Sequence, residues 1–150
     1  MAKIGYYDSP VGMIQIEMEV NRVCALRFVT KAGRSDVSPF LTTCLRQLRD
    51  YFSGKKRSLE LPLSLAGTDF QKKVWRQLRK IPHGQTVSYA DVARAIGHPK
   101  AVRAVGNANG KNRIPIIIPC HRVIASDGKL GGYSSGLARK RWLLRHEKDR

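Results

Sequence analysis

Ile116-Ile117-Ile118-Pro119-Cys120-His121-Arg122-Val123-Ile124 constrains this chain more than any other stretch. An apolar, β-branched run meets a proline, then a cysteine, a histidine and an arginine, and then a second apolar pair. The run reads as a buried strand. Pro119 has no N–H for a ladder, so the strand is expected to end there and leave the thiol at a strand edge or turn.

The chain has 150 residues, which suits one compact domain or a small subdomain packed on a larger one. No apolar run reaches membrane-spanning length, and no signal-peptide pattern opens the sequence. The expectation is a soluble, cytoplasmic protein, nucleoid-associated in a prokaryote or nuclear in a eukaryote. The three cysteines, Cys24, Cys44 and Cys120, are scattered and form no CxxC pair. That excludes a disulfide framework and a structural zinc site. Cys24 and Cys44 fall on strand and helix patterns and read as core thiols.

Charge divides the chain. The formal net charge is +17. Residues 1–66 hold 10 basic against 6 acidic residues, a balance of +4, while residues 67–150 hold 18 against 5, a balance of +13. The excess lies with Cys120. A polyanionic partner, most simply nucleic acid, follows.

In the first part, Ile14, Ile16, Met18 and Val20 alternate with polar residues, which predicts antiparallel strands over 3–29 with turns at Asp8-Ser9-Pro10 and Val20-Asn21-Arg22. Leu26 and Phe28 continue the apolar face. Residues 30–37 read as loop. Ser38 and Pro39 start a helix that Gly54 stops, and residues 59–65 read as extended. Ala66-Gly67 is the expected domain boundary, separating an N-terminal α/β domain, 1–66, from a C-terminal domain, 67–150.

Beyond it, Thr68 caps a helix with Val74, Trp75 and Leu78 inside and Lys72, Lys73, Arg76, Arg79 and Lys80 outside. Ser88 and Asp91 start a second helix closed by Gly97, and Pro99 is expected to open a third through Gly106. The pair forms a helix-turn-helix candidate. In the third helix Ala101, Ala104 and Gly106 are small, and Arg103 is the one long projecting side chain. Such a surface suits close approach to a minor groove, or tight packing against a neighbouring helix; periodicity leaves both open. Residues 107–113, rich in Asn and Gly, read as loop. Gly106 to Lys111 is one residue short of a phosphate loop and lacks its Ser or Thr, so nucleotide binding is excluded. Asp127-Gly128 predicts a hairpin turn, Leu130 to Gly136 a glycine-rich loop, and Leu137 to Glu147 a helix packed through Leu137, Trp142, Leu143 and Leu144.

A thiolate is the nucleophilic form of cysteine, and His121 with nearby cations favours it. A carboxylate orienting the imidazole would complete a nucleophile–base–orienter set. Of the three acids after Cys120, Glu147 lies within the last helix. From these residues alone, a buried cysteine beside a surface histidine remains an open reading.

Taken together, the motif Pro119 to Ile124, the preceding Ile114-Pro115-Ile116-Ile117-Ile118, the following Gly131-Gly132-Tyr133-Ser134, residues 70–97 with Gly84 and Ser88-Tyr89, and Lys100 to Gly106 resemble the O6-alkylguanine-DNA alkyltransferases. The likeness is dense over residues 68–147. It implies an α+β fold: an N-terminal, ribonuclease-H-like antiparallel sheet with helices, serving as support, and a mainly helical, winged-helix-like C-terminal domain with the helix-turn-helix. It implies DNA repair by a suicide methyltransferase, working as a monomer on double-stranded DNA that carries O6-alkylguanine, with O4-alkylthymine a second candidate substrate, and needing no metal or organic cofactor. The lesion is flipped out through the minor groove, because its reactive atom is out of reach in the stack.

By the same resemblance Cys120 is the alkyl acceptor, His121 the base acting through a water, and Glu147 its orienter. Asn112 steadies the active-site turn, and Lys140 lies near the sulfur. Tyr89 donates to the departing guanine. Arg103 fills the vacated stack, while Ala101, Ala104 and Gly106 line the groove-facing surface. Val123 and Ser134 read the guanine edge through backbone groups, and Gly132 and Tyr133 shape the pocket. Arg113 stands where proline is frequent. Ser135 stands where glycine is common, and it is expected to narrow the pocket. Relatives that only flag lesions lack the acceptor cysteine. A sequence-selective regulator would leave Cys120 unalkylated, and a thiol hydrolase would not account for the small-residue helix.

Overall fold

The structure, a computed structural model, describes residues 2–149 and divides into two compact units, Met1–Leu65 and Ala66–Arg150. Among the described residues no helix is long and apolar enough to cross a membrane.

The first unit is a three-stranded antiparallel sheet, β1 (Lys3–Ser9), β2 (Gly12–Glu19) and β3 (Arg22–Val29), covered by α1 (Pro39–Phe52). Ile14, Ile16 and Met18 are buried, as their alternation predicts. Val20 leaves the pattern. It is 86% exposed, with φ 49° followed by Asn21 at φ 58°, because these two residues make the tight β2–β3 turn. A bulge follows, with Met18 opposite Val23 and Glu17 opposite Ala25, so Cys24 has no partner of its own. The extra residue shifts the parity and lets Val23 and Leu26 both face inward. It also leaves Cys24 half-buried against Glu17, so of the two expected core thiols Cys44 alone is buried. Ser38 caps α1 through the Leu41 amide, as expected. Gly5 is a close-approach glycine: a Cβ there would lie 3.0 Å from Leu41 of α1. Residues 59–65 run extended, and Val23 bridges Leu63.

The second unit begins with α2 (Asp69–Leu78), opened by a capping box between Thr68 and Gln71. A two-residue strand, β4 (Val87–Ser88), leads into α3 (Tyr89–Ala95), where Ser88 and Asp91 form a second capping box. Gly97 at φ 80° ends this helix. The third helix, α4, runs Val102–Gly110, displaced from its expected span. Pro99 and Lys100 stay in the turn. Residues 107–110, expected as loop, are helical because tertiary bonds outweigh the weak helix propensity of Asn and Gly. The Trp75 indole donates to the Ala108 carbonyl at 2.9 Å, and Asn109 is buried. Val105, Ala108, Asn109 and Asn112 make one buried stripe at helical spacing.

The expected strand at 116–118 does not form. Ile116 has φ 75°, the Ile118 amide donates to the Ile114 carbonyl at 2.9 Å, and the chain coils into a buried turn. Pro115 and Pro119 remove two ladder donors, which leaves a turn as the way to bury this backbone with its polar groups paired. A 3₁₀ turn over Cys120–Arg122 leads into β5 (Val123–Ile124), which pairs in parallel with β4. Asp127-Gly128 does make a turn, closed by the Ala125 amide on the Lys129 carbonyl, but no second hairpin strand follows. The chain ends in α5 (Leu137–Lys148). Leu143 is fully buried there, whereas Leu137, expected to pack, is 43% exposed in the first turn.

Candidate active site

The Cys120 turn hangs from the end of α4. Asn112 donates from Nδ2 to the Ile118 carbonyl at 2.8 Å and accepts from the Ile114 amide at 2.9 Å. It ties the turn's two strands of chain together, and exposed Arg113 follows it without a capping proline. Asn109 donates from Nδ2 to the Cys120 carbonyl at 3.3 Å. Cys120 itself is 2% exposed. Burial pushes its thiol up to about 11, and the hydrogen bond from Asn112 and the charge of Lys140 only partly offset this. Cys120 is therefore a sheltered thiol whose protonated form is favoured near neutrality.

Its neighbour His121 has no exposed surface and pairs through Nε2 with Glu147 Oε2 at 2.7 Å. Glu147 is held from the other side by Arg122, whose Nε and Nη2 each lie 2.8 Å from one carboxylate oxygen. The remaining Arg122 nitrogen, Nη1, donates to the Ile81 carbonyl at 2.7 Å. Burial raises the Glu147 pKa, but the hydrogen bonds from His121 and Arg122 outweigh it and hold the carboxyl well below the usual range. For His121, burial lowers the pKa and the Glu147 hydrogen bond pulls it up; the net direction is down. A neutral imidazole thus donates Nε2–H to a carboxylate and keeps a lone pair on Nδ1. Nδ1 is buried with no hydrogen-bond partner among the described residues.

The β4–β5 pairing brings Tyr89, first residue of α3, beside the end of the Cys120 turn. A cavity of about 500 Å³ opens there. One wall is α4, through Gly106, Asn109 and Gly110, and the others are Tyr89 and the loop residues Gly132, Tyr133 and Ser134. Val123 and Ser135 are not on this lining; the Ser135 carbonyl instead accepts from Arg139 at the start of α5. Gly131 at φ 71° is required, since a Cβ there would meet the Tyr89 hydroxyl at 2.8 Å. Lys140, with no exposed surface, reaches from α5 to hold the loop. Its ammonium donates to the carbonyls of Val123 at 2.7 Å, Gly132 at 3.0 Å and Leu130. Burial lowers its pKa to about 8, but three carbonyl acceptors and a nearby sulfur favour the charged form. The Tyr133 hydroxyl is buried near that sulfur without a partner at hydrogen-bond geometry.

Elsewhere on this segment Arg103 and Ala104 are exposed, and Ala101 and Gly106 are half-buried. One helix thus presents a small-residue surface with a single long cation outside, and grips the Cys120 turn inside. Two contributors were not singled out from sequence. Arg122 gave no signal beyond its place beside His121. Asn109 lay in a stretch whose composition reads as loop.

The sequence matches the family described as 6-O-methylguanine DNA methyltransferase, DNA binding domain, over residues 69–149, and its ribonuclease-like domain over residues 2–65. A Methanosarcina barkeri methylated-DNA–protein-cysteine methyltransferase is 47% identical, across 96% of this chain and 98% of that protein. The constitutive enzyme of that name from Bacillus subtilis is 41% identical over 97% of this chain and 96% of its own length. The crystal structure of Mycobacterium tuberculosis O6-methylguanine methyltransferase superposes with a TM-score of 0.90 at 41% identity, covering 100% of this chain and 94% of that one. Mycobacterium tuberculosis OGT in complex with DNA gives 0.88 at 44% identity, covering 96% and 91%. With a buried cysteine beside a histidine–carboxylate pair and a cavity, and with both halves of the sequence matched, the chain belongs to the 6-O-methylguanine DNA methyltransferase family.

Proposed function

We propose that this protein repairs DNA by direct reversal, moving the alkyl group of an O6-alkylguanine to the sulfur of Cys120 in one irreversible turnover. The observation that carries the reading is the sheltered Cys120 thiol next to a buried His121–Glu147 pair spaced at 2.7 Å. The sulfur attacks the alkyl carbon as the carbon–O6 bond breaks, and the bonding electrons pass to the guanine ring. The thiol proton leaves to His121 Nδ1, through one water. Glu147 stabilises the imidazolium that forms, and Arg122 keeps Glu147 ionised. Tyr89 passes its proton to a ring nitrogen, so the base departs as neutral guanine, and the proton taken up by His121 is given back through solvent as Tyr89 is reprotonated. The product thioether has no leaving route, so each molecule acts once.

DNA approaches the exposed face of α4 through its minor groove. The small Ala101, Ala104 and Gly106 admit the backbone closely, and Arg103 occupies the stack vacated by the flipped nucleotide. The base enters the cavity between Tyr89 and residues 132–134, with Tyr133 and Gly132 shaping its walls and backbone groups of Val123 and Ser134 reading its edge. Lys140 holds the carbonyls of Val123 and Gly132 in place, and Asn112 holds the nucleophile turn. Residues 67–150 carry binding and chemistry, residues 1–66 support them, and the protein works as a monomer.

The test is the intact mass after incubation with a duplex containing O6-methylguanine. One methyl increment on the peptide bearing Cys120, equimolar restored guanine, and no increment in Cys120→Ala are expected. A lesion-bound but unmodified protein would replace this reading with that of a lesion sensor.

A further inference from the structure

Helix α4 holds the Cys120 turn, yet its own last turn is weak. Of its nine residues, Val102–Gly110, Gly106, Asn107, Asn109 and Gly110 are poor helix formers, and a helix this short is marginal by itself. Lys111 closes it at φ −96°, without a left-handed cap, and divides its amide between the carbonyls of Asn107 at 3.2 Å and Ala108 at 3.1 Å. An undivided donor to this turn comes from another helix. Trp75 of α2, 3% exposed, donates its indole N–H to the Ala108 carbonyl at 2.9 Å. The ring is backed by bare chain: a Cβ at Gly67 would lie 2.6 Å from its Cη2 and 2.7 Å from its Cζ3. Trp75 is not on the cavity lining. Next to Ala108 stands Asn109, which donates to the Cys120 carbonyl, and just past the helix end Asn112 ties Ile114 to Ile118. Both carboxamides are placed by the turn that the indole closes.

We propose that Trp75 is a positioning residue for the alkyl transfer: its N–H closes the last turn of α4, and that turn presents Asn109 and Asn112 to the loop carrying Cys120. This rests on the repair reading above. The α4 residues that reading gives to the duplex, Ala101 to Gly106, lie before the last turn. Loss of the indole bond therefore lets residues 107–111 fray and the sulfur shift, while the duplex-facing part of α4 stays in place. A small displacement of the nucleophile slows the transfer far more than it weakens binding.

The experiment compares wild type, Trp75→Phe, Asn107→Ala and the double variant in single-turnover methyl transfer to Cys120 from a duplex carrying O6-methylguanine. Amide exchange is measured on each protein without DNA. In Trp75→Phe the rate at saturating duplex should fall about tenfold, the size of one lost buried hydrogen bond, with the half-saturating concentration within about twofold of wild type. Exchange over residues 107–111 should quicken. Asn107 is exposed in the same turn, and alanine there favours the helix. It should win back about threefold of the rate in Trp75→Phe and add little to the wild type, whose last turn is already closed. A tryptophan that only filled the core would not be rescued from that position. Should Trp75→Phe not fold, benzothienylalanine at position 75 keeps both rings, exchanges the N–H for sulfur and reads the same bond. A folded Trp75→Phe with the wild-type rate at saturation overturns the assignment, as does a slowed one that Asn107→Ala leaves unrestored. Wild-type Cys120 that takes up no methyl overturns the repair reading, and this one with it.

Discussion

His121 Nε2 lies 2.7 Å from Glu147 Oε2, and neither side chain reaches solvent. The carboxylate is shared with Arg122, so one buried anion pairs with the imidazole and neutralises a buried cation. Glu147→Gln keeps the shape and removes the charge. It leaves Arg122 without its counter-ion, which should cost about 3–5 kcal/mol of stability. It also removes the partner that fixes the imidazole tautomer, so methyl transfer should slow by roughly 100-fold or more. Urea melts and single-turnover rates read the two effects separately. An unchanged melt with a rate within threefold of wild type would remove Glu147 from the mechanism.

The pH dependence separates two ways of making the nucleophile. The Cys120 thiol is raised to about 11 and His121 lies below its ordinary value. A thiolate formed freely in solution would make the rate climb about tenfold per pH unit from neutrality upward. A proton passed to neutral His121 within the complex gives instead a rate that is flat there and falls only in acid, as the imidazole protonates below the ordinary histidine range. Stability moves the same way. The depressed carboxyl of Glu147 contributes fully above about pH 4.3 and loses its contribution as pH falls through its lower folded value. His121 is held neutral when folded, so the unfolded chain takes up the proton first below about pH 6.5, and acid again favours unfolding. Rates between pH 5 and pH 9 and melting temperatures carried down to about pH 3 test both slopes; a steady tenfold climb per unit in the rate would contradict the transfer to His121.

Lys140 is a strap for the pocket loop. Its three carbonyl bonds join Val123, Leu130 and Gly132, so α5 holds β5 and the glycine-rich segment together. Lys140→Met fills similar volume and leaves one buried and two part-buried acceptors without their donor. A stability loss of about 3–5 kcal/mol is expected, with faster amide exchange over residues 130–134. Protection of that segment equal to wild type would show that the loop closes without the lysine.

How much of this could be read beforehand depended on where the information sits. Local pattern left His121 open as a surface residue beside Cys120, and its pairing with Glu147, 26 residues away, was expected from the family resemblance. The helix starts at Ser38, Thr68 and Ser88 were legible because capping is a short-range contact. The turn at 114–119 was not. A β-branched run has the pattern of a strand, and the deciding factors are two missing proline donors and the left-handed Ile116. The last turn of α4 was hidden for the opposite reason. Asn and Gly are poor helix formers, and the bonds that hold them there come from Trp75 and the Cys120 turn, far along the chain. Val20 and Cys24 departed from the alternating pattern because a tight turn and a bulge reset its phase.

Arg103 and Asn109 mark the outside and inside of the same helix, six residues apart. That geometry separates binding from chemistry. Arg103 is exposed on α4 and touches none of the groups around Cys120 that the hydrogen bonds define. Removing it should leave the thiol, the imidazole pair and the cavity unaltered. In Arg103→Ala, the reaction with a free O6-alkylguanine base should therefore stay within about twofold of wild type, because no flipped state has to be held. On duplex DNA the stack closes again unless something fills it, and reopening costs a few kcal/mol, so repair should slow by roughly 100-fold. Raising salt should weaken duplex binding in both proteins, with a slope smaller by about one in the variant if Arg103 also neutralises a phosphate. Parallel loss on the free base and the duplex would mean that Arg103 supports the active site itself, and the flipping role would fall.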